Sequence, residues 1–374
     1  MARYLEEASK SYKRPIVTRV FKHPDELFDV HSYQKGSCVL HMLRHHIGNT
    51  SFKSSLKEYL LNHKYGNAEA DDFRKICEKV SGKDLQQFFD QWLFKKGHPV
   101  LEIEYSLSND ITNGKKINIK IKQVQEEDYP FVFSLDMRIV LSGENNHREP
   151  QHYQISAKTF EHKIHIFPGE TIKYISIDPN LTLIKEIKSV KITEERGDFQ
   201  LKDLLLNQLK NGFTIIERIQ AAELLKNCYS EETVDTLKNI ITKGDFYGVL
   251  VKVADVLGSF NDANNFVKTN NAYNALVRCL QYPGLSASSQ SIRSVIRNIG
   301  SFERPDSIPL LLKYLQDENT DGLNNWFGRV YWYRTTLFNF DFLYKKFCFS
   351  IYSIWNIRSE YCRLLYHWGG VWVI

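Results

Sequence analysis

Cys38, His41 and His45 stand at Cys-x-x-His-x-x-x-His spacing, and steps of three and four residues put all three on one face of a helix. A thiolate and two neutral imidazoles would fill three of the four positions of a tetrahedral zinc site. No acid flanks the set, as a catalytic zinc site requires, so the plainer reading is the polar side of a structural helix. None of the twelve histidines is followed by glutamate. That removes His-Glu-x-x-His, the motif that sets two zinc ligands and a general base on one helical face. No metal is therefore expected in this chain. Asp71 and Asp72 are neighbouring carboxylates, but they precede Phe73, Ile76, Cys77 and Val80, where acids cap a helix and oppose its dipole more often than they transfer protons. Tyr33, in Tyr33-Gln34-Lys35-Gly36, carries a phenol, a neutral hydrogen-bond donor at physiological pH. On its own, a tyrosine beside a helix start reads as a packed aromatic with a solvated tip.

These residues fall in the first of four segments. Over residues 1–96 the apolar positions recur at helical spacing, as in Val39, Leu40, Leu43 and Ile47, then Phe52, Leu56, Tyr59 and Leu60. An all-helical region is expected, with one helix stopping at Ser81-Gly82. Over residues 97–192 the period changes to two: Leu101, Ile103 and Tyr105; Ile117, Ile119 and Ile121; Phe131, Phe133 and Leu135; then runs at Ile164–Phe167 and Tyr174–Ile177. Turns at Asn113-Gly114, Ser142-Gly143 and Pro168-Gly169 separate them, and a small antiparallel β-sandwich is predicted. Over residues 193–324 the helical period returns, and Leu257-Gly258-Ser259-Phe260 is echoed by Ile299-Gly300-Ser301-Phe302. A spacing of about forty residues is that of helix-pair repeats, so a HEAT-like α-solenoid is expected, with a curved surface that could hold a protein partner. The fold class is thus multidomain α+β. Residues 325–374 break with everything before them, holding five of the six tryptophans and almost no acids. They read as a non-native tail whose apolar runs are interrupted well short of the ~20 residues a membrane span needs.

The whole chain sets wider bounds. Its 374 residues are 43% hydrophobic, enough for a sizeable core, and a formal net charge of +5, with 49 basic residues spread along the sequence, gives no footprint for nucleic acid or an anionic membrane. Six cysteines far apart read as free thiols of a reducing compartment. Met1-Ala2-Arg3-Tyr4-Leu5-Glu6-Glu7 has no apolar signal core, so a cytoplasmic location is expected.

One ordered series of motifs resembles a known family. Arg14-Pro15-Ile16-Val17 and Leu27-Phe28-Asp29 precede the Tyr-x-Lys-Gly run at Tyr33–Gly36, which opens Val39-Leu40-His41-Met42-Leu43-Arg44. Ile47-Gly48 with Phe52, Asp72-Phe73, Ser81-Gly82, Phe88-Phe89-Asp90-Gln91-Trp92 and Gly97-His98-Pro99 follow in order. The series is similar to the rear portion of the catalytic domain in aminopeptidase N-like zinc metallopeptidases, the gluzincin aminopeptidases, and especially to members with HEAT-like C-terminal repeats. The resemblance implies hydrolysis of N-terminal residues from peptides with zinc as cofactor. It also implies that Tyr33 is catalytic, stabilising the oxyanion formed when zinc-bound water attacks the scissile carbonyl. The zinc-binding helix and the segment that holds the substrate's free amino group have no counterpart here, so the chain is expected to be inactive by itself. The rival expectation is a non-catalytic scaffold of the same fold, such as a transcription factor subunit. The Tyr33 phenol favours the enzyme, because a scaffold has no physical need of it.

If the tail is foreign to the fold, removing the residues after Asp321 raises soluble yield, since exposed aromatic runs promote association. The cooperativity of thermal unfolding should be unchanged in the truncated chain, which calorimetry measures directly.

Overall fold

In the computed structural model, the described residues are 1–315 apart from 11, 111–113, 128, 143–149, 168–169, 194–198 and 283–287. The Asn113-Gly114, Ser142-Gly143 and Pro168-Gly169 turns fall wholly or partly outside them, and residues 316–374, with the aromatic tail, lie outside altogether. Met1–Arg304 forms one unit, and Pro305 begins a second.

The first unit opens on helix α1 (Ala2–Lys10) and then departs from the all-helical expectation. Residues 12–30 run irregularly, with one short 3-10 turn at Pro24–Leu27. Pro15 and Pro24 lack the N–H that a helix needs, and backbone carbonyls left over in this stretch are taken up by a side chain: Arg14 donates to Pro15 O, Ile16 O and Leu27 O. Regular structure resumes with α2 (Gly36–Ile47), α3 (Asn49–Asn62), α4 (Ala70–Ser81) and α5 (Gln86–Phe94). Helix α4 stops at Gly82 as its sequence predicts, but it starts earlier, with Glu69 as N-cap and Asp71 and Asp72 inside its first turn. Glu69 and Asp72 form a capping box, Asp72 accepting from Glu69 N at 2.8 Å, and Gly82 ends the helix in the left-handed region at φ 70°.

Strands β1 (Val100–Asp110), β2 (Gly114–Gln123), β3 (Phe133–Ser142), β4 (Gln151–Ile155), β5 (Thr159–Ile166), β6 (Thr171–Ile177) and β7 (Glu186–Ile192) make two sheets, ordered β5-β2-β1-β7 and β4-β3-β6. Alternation places Leu101, Ile103, Tyr105, Ile117, Ile119 and Ile121 of one sheet in the same core as Phe133, Leu135, Met137, Ile139 and Ile177 of the other. Three features differ from the sequence expectation. Strands β4 and β7 carry no clean alternation and were not foreseen. Phe131 precedes β3, and its N–H and C=O pair with the Gln123 side-chain amide at 2.8 and 2.9 Å. And β7 pairs with β1 in parallel, so the sandwich is not wholly antiparallel. The parallel pair follows from the route of the chain: β6 lies in the other sheet, and residues 178–185 carry the backbone across before β7 runs alongside β1. Asp178 holds that crossing, accepting from Thr182 N, Thr182 Oγ1, Leu183 N and Lys185 Nζ at 2.7, 2.8, 3.1 and 2.5 Å.

The core does not stop at the sandwich edge. Tyr4, Ala8, Val39, Met42 and Trp92 belong to the same apolar cluster as the strands, and Trp92 lies against Phe131 with ring centroids 5.3 Å apart. Gln91 seals the joint, exchanging hydrogen bonds of 2.9 and 2.7 Å with the backbone of Val132. On the other side follow α6 (Leu201–Asn211), α7 (Ile215–Leu225), α8 (Glu231–Lys243), α9 (Tyr247–Ser259), α10 (Phe266–Cys279) and α11 (Ser289–Gly300). The echoed phrases terminate α9 and α11, with Phe260 and Phe302 both buried. At Gly258 the two helices approach so closely that an added Cβ would sit 2.0 Å from Asn298 Oδ1. The second unit is described as a 3-10 turn at Pro305–Ser307 followed by α12 (Ile308–Leu315).

Sheet and helices are joined by a buried ion pair. Arg138 on β3 donates to both carboxylate oxygens of Glu217 on α7 at 3.1 Å, and Glu217 is fully buried. Removing one member of such a pair leaves an uncompensated charge, which costs several times what the intact pair contributes. Arg138→Met should therefore destabilise the protein by about 3 kcal/mol, with part of the loss recovered when Glu217→Gln is added, as measured by urea unfolding at neutral pH.

Candidate active site

Tyr33 lies on a single π-helical turn, His31–Lys35, directly before α2. The turn is wound wide: Lys35 N donates to Val30 O at 2.8 Å, one residue further back than in an α-helix. His31 and Lys35 point inward and are fully buried, while the Tyr33 side chain projects outward and is 57% exposed. Phe28 flanks its ring at a centroid distance of 6.3 Å.

What fixes this turn is Asp29. Its Oδ1 accepts from the backbone N–H of His31 and Ser32 at 2.9 and 3.1 Å, as a helix-capping carboxylate does. Arg14 grips the same carboxylate with a fork, Nη2 to Oδ1 at 2.6 Å and Nε to Oδ2 at 3.0 Å, and also donates to Ser32 Oγ at 2.9 Å. The Tyr12 hydroxyl donates to Oδ2, and His31 Nδ1 lies 3.1 Å from it. Burial alone would raise the Asp29 pKa, but the Arg14 and Tyr12 hydrogen bonds and the Ser32 N–H outweigh it and hold the carboxyl well below its usual range.

Beneath the turn lies a buried polar cluster. Tyr4 donates to Gly97 O at 3.3 Å and lies 3.1 Å from His98 Nδ1. Lys35 Nζ reaches Lys95 O at 3.5 Å and lies 5.7 Å from the Tyr4 ring centroid. Burial lowers the Lys35 pKa to about 8, against a smaller opposing pull from Glu127. Burial, then repulsion from Lys13 and Lys35, lowers that of His98 to about 3. The Lys-Gly half of the Tyr-x-Lys-Gly motif is thus structural: Lys35 anchors the turn inward, and α2 starts at Gly36.

The other sequence candidates scatter. Asp71 pairs with Arg74 and Lys75 at 2.6 and 2.7 Å on the surface of α4, far from acid–base use. Cys38 is half-buried against the core, and His41 is exposed beside it in a cleft shared with Leu181. His45 leaves them both. Among the described residues the one group of three histidine, cysteine or acidic side chains whose donor atoms fall within 4.8 Å of each other is His45 with Asp136 and His152. Sequence spacing could not find this set, because its members come from α2, β3 and β4. Around Tyr33 itself the residues do not fit a catalytic zinc: the carboxylate of Asp29 is saturated by donors, and His31 is buried beneath the turn.

The Tyr-x-Lys-Gly turn, clamped by an arginine–aspartate fork, lies in the part of the chain that resembles known metallopeptidases. Residues 1–92 match the Peptidase family M1 domain. Over 103 residues the chain is 39% identical to a glutamyl aminopeptidase of Bitis rhinoceros, covering 27% of this chain and 11% of that protein. It is 42% identical over 86 residues to aminopeptidase N of Lactococcus lactis subsp. lactis, covering 22% and 10%. A longer match, 25% identical over 218 residues, is to a thyrotropin-releasing hormone-degrading ectoenzyme of Rattus norvegicus, covering 55% and 20%. The chain thus spans about a tenth to a fifth of the curated relatives it matches. The structure aligns with that of Legionella pneumophila aminopeptidase A in complex with aspartic acid at a TM-score of 0.59 and 14% identity, over 85% of this chain and 41% of the other. Over residues 1–92 the chain is thus M1 gluzincin aminopeptidase-like.

The buried histidine gives a pH test. Because His98 is held neutral in the fold, the unfolded chain binds a proton that the folded one refuses once the pH drops below the ordinary value of 6.5, and stability is lost from there down to about pH 3. His98→Gln cannot take up that proton. The variant should be slightly less stable than the parent near pH 7.5, through the altered contact to Tyr4. At pH 4.5 the order should reverse, with the variant ahead by about 2 kcal/mol, read from urea midpoints at the two pH values.

Proposed function

We propose that residues 1–92 supply the oxyanion-stabilising part of a zinc aminopeptidase, with the Tyr33 phenol as donor to the carbonyl oxygen of a substrate's first peptide bond. The observation that carries this reading is the position of Tyr33, which is 57% exposed on a turn whose backbone is fixed by Arg14 and Asp29. A donor held this way needs little reorganisation when charge develops on the oxygen, the condition under which one hydrogen bond contributes most to rate. Zinc supplies water activation in the complete family. The donor set for it is not encoded among these residues, so the chemistry assigned to this chain ends at its tyrosine, and the isolated chain is expected to be inactive toward peptides.

The same reading makes helices α6–α11 a HEAT-like array. Its support is the matched ends of α9 and α11, tied where Asn261 Nδ2 donates to Ser301 O at 3.0 Å. Such an array is a surface for a protein partner or a cover over the substrate. Peptide is the expected substrate, with neither nucleic acid nor membrane as partner, and the expected location is cytoplasmic; no helix among the described residues is long and apolar enough to cross a membrane.

The test is Tyr33→Phe in an enzyme completed with a zinc-bearing segment of the family upstream. The ring remains to pack beside Phe28, so folding and zinc content should be unchanged. The lost hydroxyl acts only as charge develops, and kcat on aminoacyl reporter substrates should fall by ~10²–10³ with KM nearly constant. An unchanged kcat would make Tyr33 a packing residue.

A further inference from the structure

The cluster of His45, Asp136 and His152 lies outside the Tyr33 site and has no part in its chemistry. Asp136 and His152 are directly opposite one another in the β3–β4 register, so their side chains leave the sheet on the same face. From helix α2, His45 reaches the same carboxylate. His45 Nε2 lies 3.5 Å from Asp136 Oδ2, and His152 Nδ1 abuts Asp136 Oδ1.

Two observations separate this group from an ordinary surface ion pair. Asp136 is buried, with 4% exposure, and its backbone carbonyl accepts from Asp178 N at 2.6 Å, so the carboxylate is held in place from behind. Its Oδ1 also has no aligned hydrogen-bond donor, although His152 touches it. A buried carboxylate oxygen in that state wants either a proton or a cation. Each imidazole turns a ring nitrogen toward it, and a neutral imidazole nitrogen offers a lone pair that an N–H donor does not.

We propose that His45, Asp136 and His152 form a binding site for a divalent transition-metal ion of the zinc type, pinning α2 to the sandwich. Bonds of 2.0–2.1 Å at tetrahedral angles place neighbouring donor atoms ~3.4 Å apart, close to the 3.5 Å between His45 and Asp136. The three donor atoms lie within 4.8 Å of one another, and the His152 side chain is 60% exposed, so it can adjust its position about an ion. Two histidines and one carboxylate suit Zn²⁺, Co²⁺ or Ni²⁺ better than Mg²⁺ or Ca²⁺, which prefer all-oxygen sites. His46 stacks on Phe88 with ring centroids 6.0 Å apart and is not among the three donors, which leaves a fourth position to solvent. The ion would close a link between residues 91 and 107 positions apart in sequence, at the helix that begins directly after the Tyr33 turn.

The experiment titrates the full 374-residue chain, stripped with chelator, with Zn²⁺ and with Co²⁺. Metal analysis after dialysis against micromolar zinc should give one ion per chain, the Co²⁺ form should show the visible absorption of a four- or five-coordinate site, and zinc should raise the melting temperature. His152→Ala alters an exposed side chain and should leave the fold intact while zinc affinity drops by at least ~100-fold, beyond the ~10–100-fold that losing an outer partner of a metal ligand costs. The double variant Cys38→Ser, His41→Gln should bind as the parent does. No retained zinc, binding that survives His152→Ala, or loss of binding in the Cys38–His41 double variant would each overturn the assignment.

Discussion

The fork between Arg14 and Asp29 decides where everything near Tyr33 sits. One guanidinium satisfies a carboxylate and three backbone carbonyls of a stretch that cannot be helical, and the carboxylate in turn caps the first N–H groups of the π turn. A salt bridge in water contributes little, but this one is mostly buried and replaces backbone hydrogen bonds that the chain could not otherwise make. The irregular segment is thereby tied to the turn that carries the tyrosine.

Where local rules decide the structure, the sequence was legible. The 3.6-residue spacing of Val39, Leu43 and Ile47 marks a real helix, and Gly82 ends α4 for the reason its chemistry suggests, with Asp72 in the capping box at the other end. Alternation at Leu101, Ile103 and Tyr105 and at Ile117, Ile119 and Ile121 likewise marks paired strands. Legibility ended where a long-range partner overrides the local pattern. Residues 12–30 fall in a span expected to be helical, but Pro15 and Pro24 break it and Arg14, from within the stretch, fills the carbonyls left over. β7 has no alternation because it is an edge strand, and nothing local says that it runs parallel to β1. His45 was noticed for the wrong company: spacing joins it to Cys38 and His41, whereas the sheet register brings it Asp136 and His152. Tyr33 was singled out by its resemblance to a family motif alone, since exposure and a wide helical turn leave no mark on composition.

The apolar core explains why a family match limited to the first 92 residues still belongs to a larger body. Tyr4, Val39, Met42 and Trp92 belong to the same buried cluster as the strand residues. The helical segment keeps a small interior of its own, around Leu43, Ile47, Cys77, Leu85 and Phe89, and shares the larger one with the sandwich, while Arg138 and Glu217 fasten strand β3 to the helical array.

The parallel pairing of β1 and β7 has a mechanical consequence. The chain enters β1 at Val100 and leaves β7 at Ile192, and the two strands run side by side from Val100 opposite Glu186 to Tyr105 opposite Ile192. Tension applied through the flanking helical segments pulls these strands in opposite directions along their length. The hydrogen bonds between them, with those from Glu186 N to Pro99 O and Thr193 N to Tyr105 O at either end, are then loaded together in shear instead of peeling one at a time. The sandwich thereby resists extension between the helical segments on either side of it.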